Sequence, residues 1–147
     1  MKVSAGLLTP VLLLVTSSAA PGRPITHEDV WLMKRVCTPV LSPDGGLVVF
    51  SVAEPAYEMD DEVSDLWIVP ADGTAAPRQL TRESVADDDL RFAPAWSPDG
   101  GTIAYFSTKA DYWMDDIWVV DVASGEERQV SRGLMASSTP VWSPDGS

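Results

Sequence analysis

The sequence predicts an all-β fold: a partial β-propeller of four-stranded antiparallel blades, with two blades and the start of a third, preceded by a signal peptide and a short helix. Three observations predict it. The segment "LSPDG" at Leu41 to Gly45 returns as "WSPDG" at Trp96 to Gly100 and again at Trp142 to Gly146. A short run rich in β-branched and aromatic residues follows each of the first two copies, "LVVFSV" and "TIAYFS". A second matched pair, "DLWIV" and "DIWVV", comes next, and each is followed by a glycine turn and a polar run, "RQLT" and "RQVS". Four strands recurring at this period are the pattern of propeller blades.

Residues 1–20 differ from the rest. Met1 and Lys2 precede the apolar run Ala5 to Val15, and the small residues Ser17, Ser18, Ala19 and Ala20 follow. A basic start, an apolar stretch too short to span a bilayer well and a small-residue site form a secretory signal, with cleavage expected after Ala19 or Ala20. With Lys2 alone at the start and Pro10 inside the run, an uncleaved anchor is the competing reading.

Residues 21–38 are expected to hold a linker and a helix over 25–36. Thr26 is placed to cap, Asp29 stands three places on as a capping-box partner, and Ile25 with Val30 has the spacing of a hydrophobic staple. Lys34 and Arg35 suit the last turn, and Pro39 holds Thr38 extended, so the helix ends there. This element is expected to pack on the blades as a strap.

Residues 39–147 are the propeller: blade 1 over about 39–82, blade 2 over about 93–132, and the start of blade 3 over 139–147. The turns are Ser42, Pro43, Asp44 and Gly45, then Ser97, Pro98, Asp99 and Gly100, then Ser143, Pro144, Asp145 and Gly146. Serine bonds back to the backbone, proline fixes φ, aspartate tolerates the third place, and glycine takes the left-handed fourth. Each copy therefore joins two antiparallel strands. The strands after the turns read as buried on both faces. The polar fourth strands, with arginine and glutamine, suit an outer edge protected against foreign pairing. The serines stand 55 and 46 residues apart, and the difference lies in connections, where a repeat scaffold tolerates it. Trp96, Trp142, Trp67 and Trp118 recur at matching places and read as packing residues between blades. Because a blade buries its faces on its neighbours, two blades and an opening strand are too few to close a ring. The chain is expected to be the N-terminal part of a longer protein; a short protein completing the ring by oligomerisation is the rival.

The formal charge is -12, from 22 acidic and 10 basic residues, which argues against nucleic acid as a partner. The single cysteine, Cys37, leaves no internal disulfide and reads as a small buried hydrophobe.

The string from Pro94 to Tyr105, "PAWSPDGGTIAY", followed by a D-[LI]-W strand, resembles the WD40-like repeat of TolB-type propellers. The wider series "ITHEDVWLMKRV", "SPDGGLVVFSVAEPAY", "VSDLWIVPADG" and "RQLT" resembles the start of S9-family serine peptidases, the prolyl oligopeptidase and acylaminoacyl-peptidase group. That resemblance implies a peptide substrate and a C-terminal α/β-hydrolase domain in cis with a Ser-Asp-His triad. The signal segment over residues 1–20 predicts an exported, periplasmic or extracellular protein that meets a membrane only if that segment stays uncleaved, and the resemblance calls for no cofactor. The alternative it leaves is a non-enzymatic TolB-like propeller binding proteins in the cell envelope. No catalytic residue carries over. The sequence has no Gly-x-Ser-x-Gly elbow, and its one histidine, His27, stands at a helix start, where a solvated role fits.

In a meander the longer connections share one end of the sheet. They hold Glu58, Asp60, Asp61, Glu62, Asp87, Asp88 and Asp89, together with Glu54, Glu83, Asp111 and Asp115, opposed by only Arg82, Arg91, Lys109 and Arg132. Two readings stay open. This end attracts a cationic group such as a peptide amine, with Tyr57, Tyr112 and Trp113 in contact, or it is a solvated rim. Neither "EMDDE" nor "ADDDL" has the alternation and central glycine of a calcium loop.

Overall fold

A computed structural model describes residues 22–56, 63–82, 94–110, 116–133 and 139–146. The expected signal segment lies outside them. The elements are a helix α1 (His27–Trp31) and eight strands: β1 (Arg35–Leu41), β2 (Leu47–Glu54), β3 (Val63–Pro70), β4 (Arg78–Gln79), β5 (Ala95–Trp96), β6 (Thr102–Ser107), β7 (Asp116–Asp121) and β8 (Glu127–Gln129). They form two antiparallel sheets, in the order β1-β2-β3-β4 and β5-β6-β7-β8. Each sheet is one meander, as a blade requires.

The helix is shorter than the 25–36 expected. Thr26 accepts from the Asp29 amide and the Asp29 carboxylate accepts from the Thr26 amide, so the capping box is present. One turn later the helix ends at a Leu32 cap, no residue of it is buried, and Ile25 and Val30 both stay exposed. A single turn without an apolar seat gains little beyond its cap. Lys34 and Arg35 therefore lie beyond the helix: Lys34 pairs with Glu54, and Arg35 opens β1. Pro39 sits inside β1 instead of stopping a helix. The pairing with β2 shifts register between Cys37 and Val40, as expected where proline has no N–H for the ladder. Cys37 is half-buried, not fully buried, on β1, the edge strand of its sheet.

The turns repeat atom for atom. The Gly45 amide donates to the Ser42 carbonyl at 2.9 Å, and Gly100 donates to Ser97 at the same distance. Ser42 Oγ donates to Asp44 Oδ1 at 2.6 Å, Gly46 N–H donates to the same oxygen at 3.0 Å, and Leu47 N–H donates to Ser42 Oγ at 2.9 Å. Ser97, Asp99, Gly101 and Thr102 reproduce the set. In the third copy Ser143 donates to Asp145, and Gly146 to the Ser143 carbonyl. The glycines at 45, 100 and 146 have φ of 75, 72 and 79°, where a Cβ costs about 1–2 kcal/mol.

The core lies between the sheets. Val49, Leu66, Ile68 and Leu80 come from the first, and Trp96, Ile103, Tyr105 and Val120 from the second. The repeat makes this packing informative. Val49 corresponds to Ala104, and Ile103 to Val48, so the two sheets meet through opposite faces. Equivalent sheets in a two-fold sandwich meet through the same face. Front-to-back stacking is heterologous, and it is the packing by which successive propeller blades build a ring. The turns stack in the same sense: a Cβ on Gly100 would stand 3.8 Å from Pro43 Cδ, and one on Gly146 would stand 3.8 Å from Pro98 Cδ. The tryptophan before each turn ties it to the sheet behind, with Trp96 Nε1 donating to the Val40 carbonyl at 3.2 Å and Trp142 Nε1 to the Ala95 carbonyl at 2.9 Å.

Candidate functional site

The register separates the two ends of each blade. Leu47 pairs with Pro70 at the end bearing the Ser-Pro-Asp-Gly turns, and Glu54 pairs with Val63 at the opposite end. The connections after Glu54, Arg82 and Ser107 all leave from that opposite end. The acidic residues singled out in the sequence, Glu58, Asp60, Asp61, Glu62, Asp87, Asp88 and Asp89, lie outside the described residues, as do Tyr57, Tyr112 and Trp113. Their roots are described. Glu54 is held by Lys34, and Lys109 is turned inward to Glu127, so neither charge stands free on the rim.

The turn end carries carboxylates of its own. Asp44 and Asp99 titrate below the usual carboxylate range, chiefly because the Ser42 and Ser97 hydroxyls donate to them, and next because of the Gly46 and Gly101 amides. Asp72 is lowered by Thr74, and Asp121 by the Ser124 amide and then its hydroxyl. All four are spent on their own turns. Among the described residues no group of three or more acidic, histidine or cysteine side chains is placed to hold a metal ion.

Inside each blade a buried aspartate stands near the start of the third strand, Asp65 in β3 and Asp116 in β7. Asp65 accepts from Gln79 Nε2 at 2.8 Å and from Thr81 Oγ1 at 3.1 Å, while Thr81 Oγ1 accepts from the Leu66 amide at 2.9 Å. Asp116 repeats this, accepting from Gln129 Nε2 at 3.0 Å and from Ser131 Oγ at 3.1 Å, while Ser131 Oγ accepts from the Ile117 amide at 2.7 Å. A carboxylate taken out of water must be hydrogen-bonded, and these partners meet that need. The glutamines of "RQLT" and "RQVS" therefore serve more than edge protection: Gln79, though exposed, and half-buried Gln129 each donate across to a buried aspartate. The signal was present in the paired letters: aspartate opens "DLWIV" and "DIWVV", and a hydroxyl residue closes "RQLT" and "RQVS". Arg78 also acts across blades, donating to the Val122 carbonyl.

No hydrolytic constellation is brought together among the described residues. His27 is exposed on α1 and stacks on Trp31 with ring centroids 6.3 Å apart.

No family model matches the chain. Over 122 residues it is 28% identical to the uncharacterized peptidase YuxL of Bacillus subtilis, a match covering 83% of this chain and 18% of that relative. Over 54 residues it is 41% identical to the Tol-Pal system protein TolB of Alcanivorax borkumensis, covering 37% of this chain and 12% of TolB. Among solved structures, the β-propeller domain of the trilobed protease from Pyrococcus furiosus superposes with a TM-score of 0.55 at 20% identity, over 77% of this chain and 32% of that one. The chain is a β-propeller segment related to those of S9-family peptidases. This S9-related propeller segment spans less than a fifth of the two curated relatives named. What its described part does chemically is structural: turn carboxylates fix hairpins, buried aspartates fix strands, and tryptophans fix one blade to the next.

Proposed function

We propose that this chain is the N-terminal propeller part of an exported S9-like serine peptidase, whose longer connections orient peptide substrates for an α/β-hydrolase domain in the same polypeptide. One observation carries the reading: the 28% identity to a peptidase extends over 122 residues, through both blades rather than through one turn motif. Front-to-back packing supports it, since such blades need neighbours to cover their outer faces. The serine nucleophile belongs to the hydrolase domain, and acyl transfer takes place there. The acidic connections attract the substrate's amine, through Asp87, Asp88 and Asp89 on one loop and Glu58, Asp60, Asp61 and Glu62 on another.

The test is labelling of the intact protein, purified from its own cells, with a fluorophosphonate serine probe. A covalently labelled protein that contains this sequence is the expected result; an unlabelled, folded protein refutes the reading. Neutralising Asp87, Asp88 and Asp89 together should lower kcat/KM for peptides with a free amine more than for blocked ones at low salt, and equal effects remove the amine role. N-terminal sequencing of the mature protein tests export, with a start just after Ala19 or Ala20 expected.

A second reading is favoured by the 41% identity to TolB over 54 residues: an envelope propeller that binds proteins and lacks a nucleophile. It predicts no probe labelling and recovery of the protein with a stable envelope partner.

A further inference from the structure

Blade 2 contains a polar group that blade 1 lacks. Lys109, just beyond β6, lies against Glu127 of β8, and its ammonium donates to Glu127 Oε2. Tyr105 of β6 donates its hydroxyl to the same carboxylate oxygen. Lys109 Nζ also stands 3.3 Å from Tyr105 Oη, 4.0 Å from the centre of the Trp118 ring and 5.8 Å from that of Tyr105. Only 17% of the Lys109 side chain and 19% of the Glu127 side chain are exposed. The other Glu127 oxygen faces the Arg82 amide of blade 1 at 3.5 Å, and Tyr105 belongs to the core between the blades.

The repeat shows that the fold does not need this group. The strand pairing places Phe50, Glu54 and Pro77 of blade 1 where blade 2 has Tyr105, Lys109 and Glu127. The same meander forms there without it, and Glu54, opposite in charge, takes Lys34 instead.

A carboxylate beside two aromatic rings is the chemistry that recognises an ammonium ion, with the ring quadrupoles and the anion acting together in a partly dry setting. We infer that Tyr105, Trp118 and Glu127 form a primary-ammonium site at the junction of blades 1 and 2, filled in cis by Lys109. The site's ligand class is a primary alkylammonium. While Lys109 holds it, the site acts as a latch at the edge of the interblade core and is closed to a peptide's amine. The inference stands apart from the peptidase reading, since it needs neither a hydrolase domain nor the acidic loops.

Removing the lysine should make the site accept a ligand. In the intact protein, Lys109→Ala deletes the three outer methylenes and the ammonium, which n-propylammonium replaces. Lys109→Ala should lower Tm, and n-propylammonium should restore it saturably, beyond the effect of equal sodium chloride. Lys109→Met, which keeps the stem, and the double variant Lys109→Ala with Glu127→Gln should not respond. A variant that does not fold unaided gives the same readout through refolding on addition of n-propylammonium. The unaltered protein gives a second readout by competitive acylation: Lys109 should react at least tenfold more slowly than exposed Lys34, and Glu127→Gln should raise its rate severalfold. The inference is overturned if n-propylammonium does no more than sodium chloride, if the double variant gains as much, or if Lys109 is acylated as fast as Lys34.

Discussion

Replacing Trp96 tests the seam between the blades at one side chain. Trp96 is 9% exposed, belongs to the core shared by the two sheets, and donates Nε1 to the Val40 carbonyl at 3.2 Å. An aromatic residue of this kind buries roughly 150–250 Å², or about 4–6 kcal/mol at about 25 cal/mol per Å². Part of that returns through relaxation and through the compactness of the unfolded chain, so Trp96→Ala should cost about 3–5 kcal/mol. Trp96→Phe keeps most of the apolar surface but leaves the Val40 carbonyl without its indole donor, and should cost about 1–3 kcal/mol. The assay is guanidinium unfolding of the intact protein followed by far-UV circular dichroism, with the midpoint shift multiplied by a common slope. A loss below about 1 kcal/mol for Trp96→Ala would refute the placement of this ring between the blades. Equal losses for alanine and phenylalanine would refute packing as the larger contribution.

Three further outcomes follow from the same geometry. Asp116→Ala should destabilise by about 1–3 kcal/mol in the same unfolding assay, because Gln129 and Ser131 lose their buried acceptor; Asp121→Ala, in an exposed turn, should cost clearly less. Gly100→Ala should cost about 1–2 kcal/mol through its left-handed backbone, whereas Gly22→Ala, with open space around it, should be neutral in the same melts. Stability should fall with acid in a defined window: Asp44 and Asp99 are lowered when folded, so their contribution is complete above the unfolded value near about 3.9 and is lost as pH falls through the folded values. Urea midpoints taken from neutral pH downward should stay level to about pH 4.5 and then drop, with a shallower drop in the variant carrying Asp44→Asn and Asp99→Asn.

The fold was legible where the sequence repeats, because each recurrence fixes the same local geometry twice. Ser-Pro-Asp-Gly specifies its turn within four residues, and the strands flanking it carry enough apolar character to mark themselves. The N-terminal segment was legible only in part. Thr26 and Asp29 do form a capping box, but a cap sets where a helix starts and not how far it runs. Pro39, read as a helix stop, is absorbed by a register shift in β1, which depends on its pairing with β2. Side chains that act through non-local partners were the least legible. Gln79 looked like an edge residue and Lys109 like a rim charge, since nothing near either in sequence names Asp65 or Glu127 as its partner. The sense of blade packing was also hidden, because both faces of β2 and β6 are apolar and only the contacts show which face meets which.

The account rests on front-to-back stacking of equivalent blades. A crystal structure of the intact protein tests it most directly, at the contact between the first two sheets. The account predicts Ile103 of the second sheet against the Val49 face of the first, with the Trp96 indole on the Val40 carbonyl and Gly100 seated over Pro43. Val49 facing Ala104, with the two sheets joined through equivalent faces as a closed sandwich, would contradict it.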